Sequence, residues 1–232
     1  MNRFWDRIIS LLFQKEQPKR VVAIGAPLGE NAIQLLHYCH NKDGKLFIID
    51  PFSALQEDQR IEGYRPYLHV LKEESLEAMP KIGSVDAVLI DGDHNWYTVY
   101  NELKYIESVA EESGKFPLVF VHDTEWPYGR RDLYHDPETI PPEFRQPYAQ
   151  KGIVYGRSEL VDQGGFCEGG YHAIHENGER NGVLTAIEDF LGETNIPLSF
   201  FRLTSNNGLV IITEANRDSD TYIEMITKHS GL

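Results

Sequence analysis

Val85-Asp86-Ala87-Val88-Leu89-Ile90-Asp91-Gly92-Asp93-His94-Asn95-Trp96 is the stretch whose reading decides the fold. A short apolar run rich in β-branched residues breaks into a dense polar cluster, and a helical pattern follows. An uninterrupted run of this kind marks a strand buried on both faces, as in a parallel sheet. In open α/β sheets, ligands bind in the crevice outside the carboxyl ends of the strands. The run therefore predicts a strand that delivers Asp91, Asp93 and His94 to the ligand-binding end.

Working outward, Lys19-Arg20-Val21-Val22-Ala23-Ile24-Gly25 reads as the first strand. Lys45-Leu46-Phe47-Ile48-Ile49-Asp50 is a second strand ending in an acid, and Tyr67-Leu68-His69-Val70-Leu71 a third. Phe116-Pro117-Leu118-Val119-Phe120-Val121-His122-Asp123 is the fifth, with its proline at the entry, where a missing N–H is tolerated. Helical spacing appears over residues 29–40, more weakly over 55–63, and briefly over 75–79 before Pro80. It returns over 96–109, where Val99, Leu103, Ile106 and Val109 share one side. Strands alternating with helices predict an α/β fold with a parallel sheet and helices on both faces.

The style changes at Thr124. Residues 124–181 are rich in Pro, Gly, Tyr and Arg and lack regular periodicity. Connections much longer than ~12–15 residues are usually lids, binding loops or disorder. This one is aromatic enough to be ordered, and it is read as an insertion covering the site. Residues 182–191 are helical again, with Gly192 as the stop. Ser205-Asn206-Asn207-Gly208 joins two apolar runs into a β-hairpin. Residues 221–228 predict a short last helix.

The 232 residues suit one domain, 1–232. Charged residues make up 25%, and 36 acidic against 22 basic residues leave a formal charge of -14. Such a surface repels phosphate backbones, so nucleic acid is excluded as a general partner. Cys39 and Cys167 have no CxxC spacing, which argues against a zinc ribbon or disulfide scaffold and suits a reducing cytoplasm. Residues 1–17 predict an amphipathic helix that is too short to span a bilayer. It would dock on the domain or on a second copy in a homo-oligomer.

Ile24-Gly25-Ala26-Pro27-Leu28-Gly29 follows the first strand and opens a helix. A dinucleotide loop needs G-x-G-x-x-G, so that N–H groups can approach a pyrophosphate. Here the middle glycine is absent and Pro27 removes a donor. Asp50 lies about 20 residues beyond Gly29 at a strand end, where an acid can accept hydrogen bonds from ribose hydroxyls. A nucleoside cofactor without phosphates fits better than NAD, and the sulfonium of S-adenosylmethionine (SAM) suits an acidic crevice. Gly25, Ala26, Gly29 and Asp50 are its candidate contacts. The plainer alternative is that the glycines turn the chain and Asp50 caps the next helix.

With these motifs the chain resembles the class I SAM-dependent methyltransferases over residues 20–213. That resemblance implies a Rossmann-like doubly wound, seven-stranded sheet of five parallel strands plus a C-terminal antiparallel hairpin. Within the class, Ile90-Asp91-Gly92-Asp93-His94 and His122-Asp123-Thr124 are similar to segments of the metal-dependent small-molecule O-methyltransferases of the macrocin, macrolide-sugar and cephalosporin-hydroxylase-like group. There the fourth strand ends in Asp with His three residues on, and the fifth ends in Glu-Asp. Asp91, His94 and Asp123 match, whereas His122 stands where Glu is expected. The resemblance also implies that Ser75, after the third strand, contacts the adenine and that the acceptor is a sugar or glycosylated metabolite. Capping the helix that begins there suits Ser75 equally well.

Adjacent fourth and fifth strands would let Asp91 and Asp123 converge on a divalent metal. Two carboxylates suit Mg²⁺, and His122 as a third ligand tilts the site towards Mn²⁺. His94 would take the hydroxyl proton as general base, alongside Asp91. Against this stand ordinary readings: the acids as caps, with Asp93 capping the helix at Trp96, His94 as a structural hydrogen bonder and His122 behind the ligands. Arg130 and Arg131 either grip an anionic acceptor or pair with local acids. His172 and His175 have HxxH spacing but no shared helix face. The expectation is a SAM-dependent methyltransferase acting on a small-molecule hydroxyl with metal assistance. A metal-independent O- or N-methyltransferase and a non-catalytic SAM-binding subunit are the alternatives.

Overall fold

Neighbouring residues along each main strand enter opposite cores. Val21, Ala23, Leu46, Ile48, Ala87, Leu89, Leu118 and Phe120 face one layer. Val22, Ile24, Ile49, Val88, Ile90, Val119 and Val121 face the other. This is the two-residue period of extended chain, with both faces covered. The computed structural model describes residues 1–25 and 30–232; Ala26 and Gly29, two expected cofactor contacts, lie outside the described residues.

The elements in chain order are α1 (Ser10–Glu16), β1 (Arg20–Ile24), α2 (Glu30–Asn41), β2 (Lys45–Ile49), β3 (Leu68–Leu71), α3 (Ser75–Ala78), β4 (Ala87–Ile90), α4 (Trp96–Ser113) and β5 (Leu118–His122). After them come β6 (Leu133–Tyr134), β7 (Tyr148–Gln150), β8 (Tyr171–Ala173), α5 (Val183–Glu193), β9 (Leu198–Leu203), β10 (Leu209–Glu214) and α6 (Arg217–His229). The seven-stranded sheet has the order β3-β2-β1-β4-β5-β10-β9. β1 to β5 are parallel, and β10 runs antiparallel to both β5 and β9. This is the Rossmann-like arrangement expected.

Strand order reverses between β1 and β4, so the crevice opens at their carboxyl ends. Gly25 makes the close approach there. It has φ +70, and a Cβ on it would lie 2.2 Å from Gly92 Cα and 2.3 Å from the Asp91 carbonyl oxygen. Only glycine allows the two strand exits to touch in this way. Its N–H donates to the Ile49 carbonyl at 2.9 Å, which ties in β2 as well.

α4 starts at Asn95, whose side chain accepts from the Thr98 N–H at 2.8 Å, and ends at Gly114 in the left-handed conformation. Asn95, rather than Asp93, is therefore the cap. Trp96 belongs to the core, with its indole N–H donating to Asp189 on α5 at 2.7 Å.

The amino-terminal segment is helical in pieces: a 3₁₀ turn over Asn2–Phe4, a π-helical turn over Trp5–Ile9, then α1. Phe4, Ile8, Ile9, Leu12 and Phe13 are buried against one face of the sheet, so the apolar side of this segment is used within the chain. No helix among the described residues is long and apolar enough to cross a membrane.

Within residues 124–181 a small antiparallel sheet, β6-β8-β7, replaces the expected absence of regular structure. Gly192 lies inside α5 rather than stopping it, and the last helix begins at Arg217, where Asn216 caps it. Where a weak helix over 55–63 was expected, a 3₁₀ turn over Leu55–Glu57 and a 3₁₀ stretch over Gln59–Tyr67 form instead.

Candidate active site

A cleft of about 520 Å³ opens outside the strand ends, a size typical of sites for small molecules. Gly25, Asp50, Ser75, Asp91, His94, His122 and Asp123 all line it. It divides by chemistry into two ends.

At one end, Asp50 leaves β2. The Phe52 N–H donates to its Oδ1 at 2.8 Å, while Oδ2 has no partner among the described residues. One carboxylate oxygen is thus held by the local turn and the other is available to a ligand. Ser75 is the first residue of α3 but forms no capping bond, since the cap position belongs to Glu74. Phe52 is 86% exposed and stands at this end of the cleft, an apolar ring on a polar turn.

At the other end, β4 and β5 deliver two acids and two histidines. Consecutive strand residues point to opposite faces, so His122 and Asp123 would ordinarily diverge. Asp123 has φ +56, and this left-handed residue breaks the alternation. His122 Nδ1 donates to Asp91 Oδ1 at 2.8 Å and lies 3.3 Å from Asp123 Oδ2. Its Nε2 faces the Asn206 carbonyl at 3.2 Å, and the edge of the Phe4 ring packs on it. His94 Nε2 is 2.7 Å from Asp123 Oδ2. The α-amino group of Met1 is 3.3 Å from Asp91 Oδ2.

Burial opposes charge in this cluster, but the contacts overcome it. His122 is raised to about 9 by its bonds to Asp123 and Asp91, and so carries a proton at neutral pH. Asp123, likewise against the effect of burial, is held well below the usual carboxylate range by His122 and His94. Among the described residues, two buried atoms of the cluster have no partner: Asp123 Oδ1 and His94 Nδ1. One ligand atom each from Asp91, His122 and Asp123 lie within 4.8 Å of one another. An orphaned carboxylate oxygen beside a second carboxylate and an imidazole is a donor set that fits a divalent cation.

The insertion reaches this end. The Leu133 N–H donates to the His94 carbonyl at 3.0 Å, the Tyr128 ring packs 5.0 Å from the His94 ring, and His135 comes within 3.9 Å of Asp93. Asp93 also accepts from the Thr98 hydroxyl at 3.0 Å. Tyr128 and His135 belong to the aromatic segments just beyond Asp123 that were expected near the substrate, but nothing local in residues 124–181 says which of their side chains turn back to the strands.

Of the two readings left open for Arg130 and Arg131, the structure shows local pairing. Arg130 is spent in a paired contact with Glu188 at 2.6 and 2.7 Å. Arg131 is buried, donating to the Ala173 and Ser158 carbonyls. Neither can grip an anionic acceptor. His172 is buried with Nδ1 on the Lys151 carbonyl at 2.7 Å, away from the acid cluster.

Residues 22–124, which span β1 to β5, match the model of a methyltransferase domain. No curated protein matches the chain. The chain is similar in structure to an SAH-bound methyltransferase from Podospora anserina (SAH, S-adenosylhomocysteine). The two share 11% identity at a TM-score of 0.50, over 89% of this chain and 76% of that one. It is also similar to a candidate O-methyltransferase from Nostoc punctiforme, with 19% identity and a TM-score of 0.51 over 90% of this chain and 55% of that one. At such identities the likeness is one of fold.

Proposed function

We propose that this chain, whose residues 22–124 match a methyltransferase domain, is a class I SAM-dependent enzyme that transfers a methyl group to a hydroxyl of a small molecule, assisted by a divalent metal at Asp91, His122 and Asp123. The observation that carries this reading is the convergence of those three ligand atoms within 4.8 Å beside the cleft, with Asp123 Oδ1 unpartnered. An acceptor with two neighbouring hydroxyls, such as a sugar or glycosylated metabolite, suits a metal that would hold both oxygens.

Asp50 accepts from ribose hydroxyls through its unused oxygen. Gly25 and Ser75 line the same end, and the acidic rim attracts the sulfonium. SAM supplies the methyl group as an electrophile, and the metal would lower the pKa of the acceptor hydroxyl. His94 takes the acceptor proton. The Asp123 carboxylate, 2.7 Å from His94 Nε2, stabilises the imidazolium that forms. The strand exits hold acceptor and methyl donor in one cleft, and orientation of this kind can supply ~7–11 kcal/mol.

A second reading has its own support. His122, protonated and set between Asp91 and Asp123, balances the carboxylates without any metal. The chain would then be a metal-independent O- or N-methyltransferase with His94 as base. Transfer from labelled SAM to a panel of vicinal diols separates the two. Metal assistance predicts at least ~100-fold loss after EDTA and recovery with Mg²⁺ or Mn²⁺. Turnover that EDTA leaves intact would select the metal-free reading.

A further inference from the structure

Glu102 sits in the buried stripe of α4, one residue before Leu103, and is 1% exposed. Neither of its carboxyl oxygens has a hydrogen-bond partner among the described residues. Buried polar groups without partners are uncommon in native proteins, and each asks for a reason. α3 packs on α4, which brings the Ser75 side chain beside this carboxyl. Asp93, at the β4 exit, is its charged neighbour. Ser75 and Asp93 both line the cleft, so Glu102 lies directly behind its wall.

Burial pushes the Glu102 carboxyl up to about 8, with Ser75 opposing and Asp93 reinforcing. At neutral pH it is therefore an acid with one O–H to donate. A protonated carboxyl can donate to Ser75 Oγ, which leaves the serine O–H free to point away. A carboxylate can only accept, and would draw that O–H inward.

We infer that Glu102 is a positioning residue that aims the Ser75 hydroxyl into the cofactor cleft, where it donates to a ring nitrogen of the cofactor's base. The inference rests on reading that cleft as the SAM site. Glutamine preserves the donor at every pH, whereas alanine removes it.

The test is calorimetric titration of SAH into wild type, Glu102→Gln, Glu102→Ala and Ser75→Ala at about pH 6.5 and about pH 9.5, either side of the carboxyl's midpoint. Wild type is expected to lose ~10-fold in affinity at the higher pH, and Glu102→Gln to stay within ~3-fold of the low-pH value throughout. Glu102→Ala and Ser75→Ala should each weaken binding ~10-fold, with no further loss in the double variant. Mn²⁺ affinity should not change in any of them. Glu74, beside Ser75, and Asp93 remain in Glu102→Gln, so a pH step that survives there belongs to them and overturns the inference. An alanine variant that binds SAH like wild type also overturns it. If Glu102→Ala fails to fold, wild type against Glu102→Gln decides alone. No SAH binding by wild type at either pH would instead overturn the reading of the cleft itself.

Discussion

Asp123→Asn is expected to lower methyl transfer by ~10²–10⁴-fold, the range for loss of a general-base assembly, while SAH affinity stays within ~3-fold of wild type. Asp123 Oδ2 meets His94 at 2.7 Å and His122 at 3.3 Å, so one oxygen serves both imidazoles. Asparagine keeps the shape and one acceptor but loses the charge that stabilises a protonated His94. It also loses one of the two carboxylates of the proposed metal set. The proposed cofactor end, with Asp50, Gly25 and Ser75, belongs to other elements and should not respond. Turnover and SAH calorimetry on the same preparation check this. Equal losses in both would assign Asp123 to the cofactor rather than to the reaction.

Asp132→Ala is expected to destabilise the protein by about 3–5 kcal/mol. Asp132 is buried, and its Oδ1 accepts from the Trp96 and Gly182 N–H groups, both at 2.7 Å. Its Oδ2 accepts from the Tyr134 hydroxyl at 2.7 Å. One side chain thus joins the start of α4, the residue before α5 and the insertion. Gly182, with φ +93 and its backbone against Arg130 and Arg131, has no room for a Cβ. Alanine at 132 would strand three buried donors, whereas Asp132→Asn keeps the acceptor for both N–H groups.

The pH dependence of this residue has a definite sign. Burial raises Asp132 from 3.8 to about 6, against the pull of its three hydrogen bonds. The native state thus holds the proton more tightly than the unfolded chain. The stability this contributes is fully present below 3.8 and is lost as pH rises through about 6, a change of about 3 kcal/mol. Asp132→Asn should lack this slope, and so gain on wild type between about pH 4 and about pH 7. Urea denaturation at the two pH values measures it. An alanine variant with an unchanged midpoint would remove Asp132 from this structural role.

The sheet was legible because β1, β4 and β5 are apolar without interruption, a pattern that few other environments allow. The strand ends were legible for the same reason, since the chemistry starts where the apolar run stops. What residues 124–181 do was not, because strands of two or three residues show no period. Asp132, Asn181 and Gly182 meet only across the fold, which local pattern does not report. The convergence of His122 with Asp123 depends on one left-handed residue that no spacing announces. Glu102 did leave a signal: a carboxylate inside the apolar stripe of Val99, Leu103 and Ile106. Asp93 was misread as the cap because a second candidate, Asn95, stands two residues on.

The most direct measurement is calorimetric titration of the protein with SAH, with Mg²⁺ and after EDTA, for wild type and Asp50→Ala. Micromolar binding by wild type in both conditions, weakened at least ~10-fold in Asp50→Ala, is the predicted result. Absence of binding in either condition would contradict the assignment of the cleft to SAM, and with it the methyl transfer proposed at Asp91 and Asp123.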